Sequence, residues 1–129
     1  QEFFRQKRFK NLGLESHKEM GSLLAQFFVP QDPNDLLVRT RAWQNADISD
    51  NPKYNGNLEA ALAGITARAI VMPASTDQYF WSDDNKDEVS GMPNAEFREI
   101  PSIWGHVAGM GMDPADREFI DNAVRELIG

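Results

Sequence analysis

The chain has 129 residues, 41% hydrophobic and 26% charged, with nine Gly and seven Pro along its length; this fits one globular domain and excludes a disordered or low-complexity segment. With no Cys and only two His, far apart, it has no disulfide framework, thiol nucleophile or Cys-ligated zinc, and no basis for a His-based metal site. Thirteen Lys and Arg against twenty Asp and Glu give a net charge of −7, which opposes binding to a phosphate backbone, so nucleic acid is not an expected partner. The apolar runs are short and nothing resembles a signal peptide, so no membrane association and a cytoplasmic location are expected. The chain opens on Gln1-Glu2 rather than Met, and its start is expected to be cut.

Arg5, Lys7, Arg8 and Lys10 surround Phe3, Phe4 and Phe9, a pattern that reads as a basic amphipathic helix closed by Gly13. Its phenylalanines are expected to pack locally and its charges to face water. Ser16 and Glu19 then form a capping box, and Met20, Leu23, Leu24, Phe27 and Phe28 follow at three- and four-residue spacing, which predicts a helix with one apolar face. Asp32 as cap, Pro33 at the first position and Asp35 in the first turn open a second helix through Leu36, Leu37, Thr40 and Trp43. From Asp47 to Gly56 the polar, turn-rich sequence predicts an exposed connection between two unlike halves.

The second half changes character. Ala67 to Met72 is a nearly continuous apolar run stopped by Pro73, as in a parallel strand buried on both faces. A helix starting at Ser82 or Asp83 and ending at Gly91 follows, then a strand from Ala95 to Ile100 closed by Pro101, then a glycine-rich loop. Asp113 as cap and Pro114 at the first position open a last helix, with Phe119, Ile120, Ala123, Val124, Leu127 and Ile128 on one face. Strand, helix, strand, helix in that order is the end of a doubly wound α/β sheet. Two strands alone cannot bury such a run on both faces, so apolar surface is expected at Ile70 and Phe119.

Functional groups in such sheets collect beyond the carboxyl ends of the strands. Asp77 follows the first strand and His106 the second, one βα unit apart. A carboxylate there can accept a hydrogen bond from imidazole Nδ1 and fix the tautomer, so that Nε2 can take a proton from a nucleophile. Taken singly, a loop Asp is usually a turn former and a loop His usually a hydrogen-bonded surface residue; the case rests on the two together. The third member of a triad is missing, because no Gly-x-Ser-x-Gly elbow occurs after a strand. Ser22, in Met20-Gly21-Ser22-Leu23-Leu24, lies inside a predicted helix; Ser75 and Ser102 read as structural, His17 as exposed, and Met110 and Met112 as loop packing.

The stretches Pro73 to Phe80 and Met92 to His106 resemble the acid and histidine regions of the homoserine O-acetyltransferase-like α/β-hydrolases. Asp32 to Leu37, Arg41 to Ile48 and Asn57 to Leu62 are similar to that group's lid helices and to the helix leading into its penultimate strand. The resemblance covers nearly the whole chain but only the C-terminal part of a family member. It implies an α/β fold, the C-terminal part of an α/β-hydrolase with two parallel strands and helices, preceded by helical lid segments. Residues 1–46 would be the lid, 47–66 a connection and helix, and 67–129 the βαβα portion of the core.

The resemblance further implies acyl transfer through a serine ester, with Asp77 orienting and His106 acting as general base and acid. Arg41, Phe80 and Trp104, within the matching stretches, would line the substrate pocket. Acetyl-CoA would be the co-substrate of a transferase, and no cofactor is expected to be bound. The run Gly105-His106-Val107-Ala108-Gly109-Met110-Gly111 is typical of a hydrolase side branch, so transferase and ester hydrolase both stay open. Without a nucleophile the chain alone is expected to be inactive, its partner being the missing N-terminal core or a second copy docked through the lid helices. The alternative is a non-catalytic interaction or oligomerisation domain derived from the same fold.

Overall fold

The computed structural model describes residues 2–129, in two units, the first ending at Asp47 and the second Ile48–Gly129. The first unit holds α1 (Glu2–Arg5), a 3-10 helix (Arg8–Leu12), α2 (His17–Phe28) and α3 (Pro33–Gln44). The single amphipathic helix expected at the start does not form. Lys7 takes a left-handed φ of 53° and breaks it in two, and Gly13, at φ 74°, closes the second piece by donating its N–H to the Phe9 and Lys10 carbonyls. Phe9 is buried, and the His17 ring stands edge-on to both Phe9 and Phe4, at 5.0 and 5.2 Å.

Ser16 caps α2 as its spacing predicts, Oγ accepting from the Glu19 N–H at 3.2 Å while the Glu19 carboxylate reaches back to the Glu15 N–H at 2.9 Å. Asp32 caps α3 by accepting from the Asn34 N–H at 2.7 Å, with Pro33 as first helical residue. Neither helix buries a residue, and Phe27 and Val29 are 64% and 82% exposed.

The second unit holds α4 (Leu58–Ala63), β1 (Ala69–Val71), α5 (Ser82–Ser90), β2 (Ala95–Phe97), a 3-10 helix (Gly105–Met110) and α6 (Pro114–Ile128). The turn-rich segment before α4 is more than an exposed connection, since Ser49 is buried and its carbonyl accepts from the N–H groups of Asn51 and Gly56 at 2.8 and 2.9 Å. Asn57 caps α4 by accepting from the Ala60 N–H. β1 and β2 are parallel, pairing Ala69 with Ala95, Ile70 with Glu96 and Val71 with Phe97, and a bridge between Ala74 and Ile100 extends the pairing.

The strand read from Ala67 to Met72 is thus shortened to three residues, and these are half-buried rather than buried on both faces. With only one neighbour, each strand keeps an open edge. Phe119 is half-buried, and Val124 and Ile128 on α6 are exposed. The core of this unit sets one large side chain, Trp104, among small and medium residues that include Ala61, Ala74, Val89, Ile100, Ala108 and Ala123. At the edge, the Arg98 guanidinium makes two hydrogen bonds to Glu126, at 2.7 and 3.1 Å, and one to Glu96, joining β2 to α6. These contacts hold the Glu126 carboxyl below its ordinary pKa and raise that of Arg98. Among the described residues, no helix is long and apolar enough to cross a membrane.

The architecture is α/β, two parallel strands with helices preceded by helical segments, as expected from the sequence.

Candidate active site

The two loops beyond the strand ends converge. After the Ala74–Ile100 bridge, the Ser75 N–H donates to the Ile100 carbonyl at 3.0 Å, and the Asp77 N–H donates to the Ala74 carbonyl to start a tight turn. Asp77 then uses both carboxylate oxygens. Oδ1 accepts from the backbone N–H groups of Tyr79 and Phe80, at 2.8 and 3.3 Å, and Oδ2 lies 3.2 Å from His106 Nδ1.

The Asp77 side chain is 8% exposed and that of His106 is 47% exposed. Burial alone would raise the Asp77 pKa. The Tyr79 N–H, the His106 ring and the Phe80 N–H outweigh it and hold the carboxyl below its ordinary value. The carboxylate is therefore ionised at neutral pH, as an acceptor for Nδ1–H should be.

The imidazole sits in the 3-10 helix Gly105–Met110 with two aromatic neighbours, the Tyr79 ring at 4.7 Å and the Phe80 ring at 5.5 Å between centroids. A cleft of about 260 Å³ opens beside the pair, lined by Val71, Met72, Pro73, Ala74, Phe80, Asn85, Gly105 and Gly109 as well as Asp77 and His106. Its wall is mostly apolar. The geometry leaves Nε2 as the ring nitrogen not facing Asp77, in a ring that is half open to solvent.

A second set of hydrogen bonds surrounds the pair. Thr76 Oγ1 donates to the Ser102 carbonyl at 2.8 Å and accepts from the Gly105 N–H at 3.1 Å, and Ser75 Oγ donates to the same carbonyl at 3.1 Å. The buried Ser102 Oγ donates to the buried Asp116 carboxylate at 2.5 Å and accepts from the Trp104 N–H at 3.1 Å. Trp104 Nε1 donates to Asp113, whose other oxygen accepts from the Ala115 N–H at the head of α6.

Of the residues expected to line a substrate pocket, Phe80 lies in the cleft wall. Trp104 is buried beside α6 and does not line the cleft, and Arg41 is exposed on α3 in the other unit. Ser75 and Ser102 are both engaged in hydrogen bonds within the loops. Met110 and Met112, read from the sequence as loop packing, are exposed instead.

Sequence reasoning missed Thr76 and Asp116. For Thr76 the signal was its place immediately before the acid. For Asp116 there was none, since an acidic residue in the first turn of a helix reads as a partner of the helix dipole. Among the described residues no group of His, Asp and Glu gathers as a metal site would require.

This arrangement can hold an imidazole in one tautomer and present Nε2 for proton transfer. No protein-family model matches the chain. It is 40% identical over 128 residues to an ethyl acetate hydrolase of Pseudomonas veronii, an alignment covering 98% of this chain and 36% of the relative. The solved structure of an acetyl esterase, MekB, superposes with a TM-score of 0.85 at 40% identity, again over 98% of this chain and 36% of that one. A homoserine O-succinyltransferase of Nitrosomonas europaea is 30% identical over 93 residues, 69% of this chain and 24% of its own length. The chain thus spans about a third of the length of these esterases. It is α/β-hydrolase-like, and its relatives include esterases and, more distantly, acyltransferases.

Proposed function

We propose that this chain supplies the acid and the histidine of a Ser-His-Asp triad that hydrolyses short-chain acyl esters, the serine coming from residues other than these 129. The carrying observation is the 3.2 Å approach of His106 Nδ1 to Asp77 Oδ2, with the other carboxylate oxygen pinned by two backbone N–H groups. Asp77 keeps the proton on Nδ1 and stabilises the imidazolium that forms.

In the first half-reaction the serine Oγ attacks the ester carbonyl carbon while His106 Nε2 takes the hydroxyl proton. The tetrahedral intermediate collapses, the bond to the alcohol oxygen breaks, and His106 gives its proton to the departing alcohol. In the second half a water attacks the acyl-serine and passes a proton to Nε2. The proton returns to serine Oγ as the carboxylic acid leaves.

The aromatic and aliphatic cleft wall suits a small apolar acyl or alkyl group. Hydrolase is favoured over transferase because the esterases align along nearly the whole chain, whereas the succinyltransferase aligns along two-thirds of it. Acetyl-CoA belongs to the transferase alternative only, and the hydrolase reading calls for no bound cofactor.

The test is incubation of the purified 129-residue chain with p-nitrophenyl acetate and with a fluorophosphonate probe. Neither turnover nor labelling is expected. Stoichiometric labelling of a serine in this chain, abolished by His106→Ala, would overturn the assignment of the nucleophile elsewhere. A second reading, self-association through the helical segments without catalysis, is favoured by the exposed Phe27, Phe28 and Val29 at the end of α2. Sedimentation separates the two: a stable dimer lost on Phe27→Asp, together with no activity in the naturally occurring protein, supports the second.

A further inference from the structure

We infer that the Thr76 hydroxyl is a clamp that sets the separation of Asp77 and His106, a positioning role that rests on the reading of that pair given above. Thr76 immediately precedes the acid and Gly105 immediately precedes the histidine. The single oxygen Thr76 Oγ1 donates to the Ser102 carbonyl at 2.8 Å and accepts from the Gly105 N–H at 3.1 Å, so it ties the acid loop to the histidine loop at two backbone points. Because it donates in one direction and accepts in the other, the hydroxyl has its orientation fixed.

The backbones meet closely at this point. Gly105 has φ +57°, and a Cβ there would stand 3.2 Å from the Thr76 carbonyl oxygen, so the approach depends on glycine. The strands pair no further than the Ala74–Ile100 bridge and the Ser75-to-Ile100 hydrogen bond, and beyond them the Thr76 hydroxyl continues the connection. The histidine loop is braced from behind, where the buried Ser102 holds both Asp116 and the Trp104 N–H.

The distance makes the clamp matter. At 3.2 Å the Asp77–His106 contact is at the long end of the hydrogen-bonding range, so a few tenths of an ångström of loop separation would end it. Thr76 touches no reacting atom and acts only through the acid and the histidine.

The test compares Thr76→Val, which keeps the shape and removes the hydroxyl, with Thr76→Ser, which keeps the hydroxyl and removes the methyl group. Asp77→Asn is carried alongside, all in the protein as it occurs naturally. Two readouts are taken: the low-field Nδ1–H proton resonance of His106, and kcat and KM on p-nitrophenyl acetate. Valine is expected to abolish the resonance and to lower kcat by about ten- to a hundredfold with KM little changed. Serine is expected to retain both.

The Trp104 Nε1–H resonance, bonded to Asp113 outside the clamp, reports in the same spectra that the loop is folded. Thr76→Ala set against Thr76→Ser repeats the comparison without valine's bulk should that resonance be lost. A valine variant with resonance and kcat intact overturns the clamp. Loss of both in the serine variant also overturns it, because the methyl group is then the part that matters. An Asp77→Asn variant with the resonance unchanged overturns the Asp77–His106 pair itself, and the clamp with it.

Discussion

Residues 2–47 and residues 48–129 are built by different kinds of interaction. In the first unit the hydrogen bonds that shape the helices are local: Ser16 with Glu19, Asp32 with Asn34, Thr40 with the Leu36 carbonyl, Asn45 with the Arg41 carbonyl. In the second, Thr76 with Ser102, Asp77 with His106 and Arg98 with Glu126 join residues 26, 29 and 28 positions apart. The difference teaches where the chemistry can reside. Local capping makes a helix but leaves its apolar face open, as at Phe27 and Phe28, whereas long-range bonds between loops hold side chains at a fixed distance.

Substitutions in the two units should therefore differ in kind. The largest effect belongs to the pair. In the naturally occurring protein, His106→Ala and Asp77→Asn should each lower ester hydrolysis by about 10⁴-fold, the first by removing the base and the second by favouring the wrong tautomer. Steady-state kinetics measure this, and activity within tenfold of the parent would reject both roles.

Next comes the support behind the histidine loop. Ser102→Ala removes the hydroxyl that bonds the buried Asp116 carboxylate and the Trp104 N–H and should cost about 2 kcal/mol in urea unfolding. Ser16→Ala in the first unit should cost about 1 kcal/mol, as the loss of one cap, and should lower helical circular dichroism without touching the site. If Ser16→Ala were the costlier of the two, the contrast between local and long-range construction would fail.

The acid sensitivity of the site is a finer probe. Asp77 has its folded pKa below the ordinary value, so its contribution to stability is complete above that value and is lost as the pH falls through the depressed one. The parent should thus lose more stability than Asp77→Asn between about pH 5 and pH 2. Thermal unfolding across that range would show parallel curves throughout if Asp77 were not stabilised as its contacts imply. The smallest effect is expected of Arg98→Ala, whose ion pairs lie at the surface: a slight, salt-sensitive fall in Tm.

Legibility in the sequence followed the same division. The caps at Ser16, Asp32 and Asp113, the proline starts and the helix stop at Gly91 are written within four or five residues, and the structure has all of them. The parallel βαβα order followed from one apolar run and from turn chemistry. The left-handed Lys7 did not, because nothing in its side chain calls for positive φ. Strand length was overestimated because a continuous apolar run fixes where a strand lies but not how many residues find partners across the sheet.

At the site, Asp77 and His106 stood out because both chemistry-bearing types fell just past strand ends. Thr76, Ser102 and Asp116 did not, because hydroxyls and a first-turn acid have ordinary local uses, and only the approach of the two loops gives them another.

The central claim is that Asp77 holds the His106 proton on Nδ1 and leaves Nε2 as the base. Long-range ¹H–¹⁵N NMR of the imidazole at a pH where the ring is neutral reads this directly. The expected result is a protonated Nδ1 and a bare Nε2, reversed in Asp77→Asn; a proton resident on Nε2 in the parent, or no change on substitution, would contradict it.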